Sequence, residues 1–465
     1  MSVGRRRASL TGAWIAGAAA LSVAALAGVS RAAARAGGDA PGFLAWARSA
    51  AIPLHGLGPA TTHGDLARLA TTVGPARVVA LGEPGHGAQQ PLAFRNRLFR
   101  YLVKHDGVTA IALETSFTES RAIDDFVMGG GGDAAVLTRR NLSWGFGRYE
   151  ANVRLIRWMR DYNEHAGGQR KLHFYGIDMS GGGDEGDYSH PSIAVRSAVA
   201  YLRTAAPRSS ADLMKRIAPQ LRLMDRLGYW QMALHDQASL ETMLESLGEY
   251  FEANGTALRH AGSRADYDWA AHSLVVAGQL FDYLRLEPAP QGKSMSIGPL
   301  DYREDEVRET AMATNVLWAL HEEGPEGKLL VYAHDAHVMN DRSRGGIWSV
   351  YKEAPVMMGG HLRADLGRRL VIIGALAAHN GPGLPADHPI PGSFEATLAA
   401  LELPFFALDL RKARGNLAAA AWLDGRRVIR ANFDTELDVI PAQAFDVIVF
   451  MDEVTRAKPN GAADR

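Results

Sequence analysis

The chain has no cysteine. That excludes a thiol nucleophile, disulfides and cysteine-ligated metals, and it suits an oxidising compartment, where stray thiols are a liability. There is no surplus of basic charge: 50 basic and 51 acidic residues give a net of -1, so no basic surface argues for nucleic acid. Several motifs are missing as well. No Gly-x-Ser-x-Gly elbow occurs; Ser180 follows Asp178-Met179 and lacks the first glycine. No phosphate-binding loop occurs: Gly292-Lys293-Ser294 lacks its leading glycine, and Gly327-Lys328 is followed by leucine. The His-Glu-x-x-His helix of zinc proteases is absent. Gly82-x-x-Gly85-x-Gly87 reverses the dinucleotide fingerprint. No repeat or low-complexity tract interrupts residues 37–465.

The N-terminus reads as a targeting signal. Arg5, Arg6 and Arg7 precede an uncharged, Ala-rich run over 10–29, and an Ala-x-Ala site ends at Ala36. This is the pattern of a twin-arginine-type signal peptide over 1–36, with export to the periplasm or the outside as its consequence. The run is long enough to span a membrane, but its many Ala and Gly residues favour a cleaved signal and no stable membrane insertion afterwards. Loss of 1–36 leaves 45 basic against 51 acidic residues, about −6 net, which makes anionic surfaces poor partners.

The mature chain alternates short apolar runs with amphipathic stretches. Runs at 78–81, 109–113, 172–177, 328–333, 370–376, 405–410 and 445–450 read as buried strands. The stretches 94–103, 152–163 and 302–320 read as helices, and 377–393, rich in Pro, Gly and His, reads as loop. From 193 to 286 helical segments follow one another without a strand. The expected class is α/β: a mostly parallel β-sheet flanked by helices, with a helical insertion capping the cleft. The division is a first core part over 37–190, the insertion over 191–300 and a second core part over 301–465.

The strand ends carry the chemistry. The first apolar run leads into Gly82, Glu83, Pro84, Gly85, His86 and Gly87; the second is followed by Glu114; the fourth by His334, Asp335, Ala336 and His337. Parallel strands present their carboxyl ends on one edge, where ligands bind. Glu83, His86, Glu114, His334 and His337 can therefore converge, and Arg95 can reach the same rim. A neutral His fixed by a carboxylate can take a proton from water, and a second His or an Arg can stabilise the oxyanion formed on a carbonyl. The same groups could hold a divalent metal, and a helix-capped cleft could serve a non-catalytic small-molecule-binding protein. Trp144, Phe146 and Tyr149 suit a pocket wall or the core equally, while His361 after Gly359-Gly360 is a weak further candidate.

Taken together, these pieces resemble the erythromycin esterase family. The matching segments are LGEPGHG (Leu81–Gly87), Arg95, ALET (Ala112–Thr115), FYGID (Phe174–Asp178), RETAMATNVLW (Arg308–Trp318), AHDAHV (Ala333–Val338) and GGHLR (Gly359–Arg363). The resemblance implies hydrolysis of a macrolide lactone or related ester by activated water, without a serine nucleophile and without a cofactor, as in antibiotic resistance. It implies His86 as general base, Glu83 and Glu114 as its acidic partners, and Arg95, His334 and His337 as the other polar residues of the site. Three residues depart from the family pattern: Pro84-Gly85 replaces Ala-Thr, and Asp335 replaces Asn.

Overall fold

The computed structural model describes residues 40–57, 64–181, 192–286, 303–351, 353–433 and 435–461. The expected signal peptide over 1–36 lies outside them. No described helix is long and apolar enough to cross a membrane.

Ten strands are described: β1 (Ile52–Pro53), β2 (Val78–Glu83), β3 (Ala110–Ser116), β4 (His173–Asp178), β5 (Leu329–His334), β6 (Leu370–Asn380), β7 (Phe405–Asp409), β8 (Arg427–Ala431), β9 (Thr435–Val439) and β10 (Val447–Val454). Eight form one sheet in the order β1-β7-β10-β6-β2-β5-β3-β4, and β8 and β9 pair separately. From β10 to β4 every neighbouring pair is parallel; β7 and β1 add an antiparallel edge. The class is α/β with a mostly parallel sheet flanked by helices, as the residue pattern implies.

The central strands are buried on both faces, which is why they read as unbroken apolar runs rather than alternating ones. Val78, Ala80, Ala110, Ala112, Val331 and Ala333 point to one side; Val79, Leu81, Ile111, Leu113, Leu330 and Tyr332 point to the other. Helices Gln89–Asp106 and Glu150–Glu164 cover the second side. The first side packs against helices Phe117–Val127 and Arg303–Glu322, and helices Ser192–Ala205, Ala211–Met224, Leu234–Ala261 and Arg264–Leu286, which follow β4 in the chain, extend the same apolar cluster outward. An aromatic cluster joins these helices to the sheet: Tyr175 of β4 stacks on Trp269 at 5.7 Å and meets Trp318 edge-on at 6.0 Å. Residues 287–302 lie outside the described ones.

Several strands run past the ends that hydrophobicity marks. β2 continues through Gly82 and Glu83 because β5 pairs with it up to Glu83↔His334. β6 reaches Asn380, into the interval expected as loop, because β10 pairs beside it up to Val454↔Asn380. The two-residue β1 and the β8–β9 hairpin were not expected from pattern. Polar residues at these strand ends are thus held by sheet hydrogen bonds rather than by mobile loops.

The turn Asp335–Val338 after β5 is pressed against helix Met358–Leu366. A Cβ on Gly359 would lie 1.8 Å from the Val338 carbonyl oxygen and 2.6 Å from that of Met339. Backbone on both sides leaves nothing to move cheaply. Gly359→Ala should therefore lower unfolding stability by about 1–3 kcal/mol. Urea titration checks this; an unchanged midpoint would show that the two segments can separate freely.

Candidate active site

Glu83, the last residue of β2, is fully buried, and its carboxylate is shared by two partners. Oε1 lies 2.6 Å from His86 Nδ1, and Oε2 accepts the Tyr332 hydroxyl at 2.5 Å. Gly85 and Gly87 let the intervening turn close. A Cβ on Gly85 would meet the Phe433 ring at 2.9 Å, and one on Gly87 would meet the Tyr149 hydroxyl at 2.3 Å. The contact with Glu83 places the proton on His86 Nδ1 and leaves Nε2 free to accept another. The His86 side chain is 26% exposed, and Nε2 stands 3.8 Å from Glu114 Oε1, beyond hydrogen-bond reach.

Glu114, in β3, is the hub of the second half. Oε2 accepts the backbone N–H of His334 at 2.8 Å. Oε1 lies 3.2 Å from His337 Nε2 and accepts Arg308 Nη2 at 3.0 Å. Arg308, on helix Arg303–Glu322, also donates Nη2 to Asp178 Oδ2 at 2.7 Å, and its guanidinium lies 4.7 Å from the Trp144 ring centroid. His337 Nδ1 contacts Glu309 Oε1 at 2.5 Å, while Glu309 Oε2 accepts the Met358 N–H at 2.7 Å. The expected convergence of Glu83, His86, Glu114, His334 and His337 is therefore a feature of the fold: the ring centroids of His86 and His334 are 5.6 Å apart, and those of His334 and His337 are 6.3 Å apart.

The three imidazoles have different protonation. Burial disfavours charge on His86, but the charge of Glu114 and the hydrogen bond to Glu83 outweigh it, raising its pKa above the usual value. Burial also opposes charge on His337, yet Glu309 and Glu114 on its two nitrogens push it up to about 10. His334 goes the other way: burial, reinforced by the neighbouring His86 and His337, lowers it to about 3. Its Nδ1 accepts the Ala336 N–H at 3.1 Å, so the neutral ring carries its proton on Nε2. That buried N–H has no hydrogen-bond partner among the described residues. Burial works against the Glu114 charge too, but His337, His86 and Arg308 hold its pKa well below the ordinary carboxylate range.

Arg95 is not at the rim. It is fully buried beneath it, on the side of helix Gln89–Asp106 that faces the sheet. Its guanidinium donates to Asn96 and Asn152 and lies 4.7 Å from the Tyr332 ring centroid. It thus backs the Tyr332–Glu83 pair from inside. His361, the weaker candidate, stands 3.4 Å from the Thr310 hydroxyl. Arg308, Glu309, Asp178 and Tyr332 belong to the site but were not picked out by strand-end reasoning. For metal binding, no suitable group of three or more His, Asp or Glu occurs among the described residues. The Arg308 cation already stands between Glu114 and Asp178.

A family model described as Erythromycin esterase matches residues 103–454. Erythromycin esterase type II from Escherichia coli is 24% identical over 354 residues, spanning 70% of this chain and 73% of that protein. A Bacillus cereus crystal structure shares the fold with a TM-score of 0.72 at 22% identity, covering 90% of this chain and 98% of its own. A mutant of the erythromycin esterase EreC in its open conformation gives a TM-score of 0.64 at 17% identity, covering 86% and 97%.

Asp335, between the two motif histidines, is buried beside Gly82. Its Oδ1 accepts the Ala375 N–H at 3.0 Å, while Oδ2 has no partner among the described residues. Burial raises its pKa well above the usual value, with Glu83 and Glu395 adding to the shift. In the unfolded chain the carboxyl ionises near pH 4. Between that value and the raised one the folded state holds an extra proton, so stability falls as pH rises. Asn has the same shape and no such loss. Asp335→Asn should match wild type near pH 4 and exceed it at pH 8 by about 1–3 kcal/mol. Denaturant titrations at both pH values decide; a constant difference between the two proteins would contradict a neutral Asp335.

Proposed function

The chain belongs to the erythromycin esterase family, and from that premise we propose that it is an exported hydrolase that cleaves a carboxylic ester or macrolide lactone with water activated by His86. The family supports a hydrolase of the esterase type; the activated-water chemistry and the substrate are our reading. The observation that carries it is the 2.6 Å contact from Glu83 to His86 Nδ1, which leaves Nε2 bare and part-exposed beside Glu114.

In this reading His86 Nε2 takes a proton from water as the water oxygen bonds to the carbonyl carbon. Glu83 fixes the tautomer and stabilises the imidazolium that forms. The carbonyl oxygen becomes an oxyanion, for which we assign the Nε2–H of neutral His334 and the Arg308 guanidinium as donors. A histidine kept neutral by its surroundings suits this role, because it donates without losing its proton. The intermediate then expels the alkoxide, which takes the proton back from His86. The products are an acid and an alcohol, together one water heavier than the substrate. His337, charged and paired on both nitrogens, holds Glu114 in place.

Incubation of purified protein with erythromycin and a panel of simple esters, followed by mass spectrometry, should reveal a ring-opened product heavier by one water from the lactone, and from the simple esters an acid and an alcohol whose masses together exceed the substrate by one water. His86→Ala should lower kcat by about 10²–10⁴-fold; equal turnover by the two proteins would end the general-base role. Dialysis against a chelator should leave turnover unchanged, whereas loss restored by zinc would replace this chemistry with a metal-dependent one. The pH profile follows from the raised pKa of His86. The base is protonated below that value, so kcat/KM should fall as pH drops, with a midpoint above the usual 6.5. A midpoint below 6.5 would contradict the Glu114–His86 coupling.

A further inference from the structure

We propose that Trp144 is a positioning residue of this site, holding the Arg308 guanidinium flat against Glu114 and Asp178. The inference rests on the hydrolytic reading above and adds a residue to it. Trp144 has a φ of 58°, followed by Gly145 at 73°. Among the described residues other than glycine, this left-handed conformation is shared only with Glu402, Asn432 and Phe433. A bulky side chain pays energy to adopt it, and such residues persist where the surroundings enforce them.

Both the edge and the face of the indole are spent on site residues. Its Nε1–H donates to Asp178 Oδ2 at 2.8 Å, the oxygen that Arg308 Nη2 also reaches, and its ring covers the guanidinium at 4.7 Å. Trp144, Asp178 and Arg308 thus form a closed triangle. The turn carrying Trp144 is locked to the end of β3. The Ser143 N–H donates to Thr115 Oγ1 at 2.8 Å, and Ser143 Oγ accepts the Ser116 N–H at 3.0 Å. Two residues beyond Trp144, the Phe146 ring stands edge-on to His86 at 5.0 Å, and its carbonyl is held by Asn152 Nδ2 at 2.8 Å. One short turn therefore sets Arg308 with one aromatic residue and braces His86 with another. A tryptophan present only for core packing would need neither the polar contact nor the left-handed backbone.

The test compares Trp144→Gly, which accepts the backbone angle but has no ring, with Trp144→Leu, which fills space without a flat ring or N–H. Trp144→Phe, which keeps the ring, should fold and fall between these and wild type. In the full chain, both severe variants should lower kcat on the panel ester by about tenfold or more while KM changes little. They should also shift the titration of His86, followed by ring-proton NMR and assigned with His86→Gln. His86 is faced by Glu83, Glu114, His334 and His337. Once Arg308 is released, the less neutralised Glu114 should move the His86 midpoint upward. A folded Gly or Leu variant with wild-type kcat and a wild-type His86 midpoint would overturn the proposal; so would a Phe variant that is as impaired as Leu. If wild type cleaves no ester on the panel, the hydrolytic reading fails, and the His86 titration alone still decides the position of Arg308.

Discussion

A buried carboxylate must be paired, and at this site that carboxylate is Glu114, only 1% exposed. Its two oxygens take a backbone N–H from the end of β5, a guanidinium from helix Arg303–Glu322 and a His337 imidazole. Removing one partner from such a charge typically costs about 3–5 kcal/mol. The charge therefore ties the ends of β3 and β5 to helix Arg303–Glu322, and Glu309 extends the tie to the Met358 N–H. A centre assembled from residues more than 200 positions apart keeps its shape because one anion has no other way to be solvated.

The same anion separates the roles of three neighbouring histidines. His337 has an acceptor on each nitrogen and stays charged. His334 is buried, has a donor on one nitrogen and lies beside the rings of His86 and His337, so it stays neutral. His86 lies between these extremes, raised but still exposed to solvent. Environments that push like groups apart in pKa are how one fold assigns acid, base and electrophile at a single pH. Beneath them, Arg95, Tyr332 and Asn152 brace Glu83 and the Phe146 carbonyl, so the His86 turn is supported from the sheet side.

Much of this was legible in the residues. The apolar runs marked the strands because parallel strands are buried on both faces, and the polar residue after each run marked the cleft because parallel strands share an end. The same rule, applied to the third run, points at Asp178 as clearly as it points at Glu114. Arg95 follows Phe94 and shares a helix face with Leu98 and Leu102, so helical phase alone implied burial rather than a place at the rim. Arg308 and Glu309 sit inside a helix whose acidic start looked like ordinary dipole compensation, and no local pattern tells a solvated helix face from one turned into a cleft. Tyr332 was hidden in an apolar strand, where its hydroxyl gave no signal. β1 depends on β7, a partner far away in sequence, and the β8–β9 hairpin joins two neighbouring runs broken by charged residues, which no apolar stretch marks.

The central claim is that His86 delivers solvent directly to the carbonyl, with no covalent bond between substrate and protein. A single turnover in ¹⁸O-water with excess enzyme tests it most directly. Direct attack predicts one ¹⁸O in the acid product and none in the protein. Label in a peptide bearing Glu83 or Glu114, with an unlabelled product, would mean that a carboxylate attacked first through an anhydride, and would contradict the account.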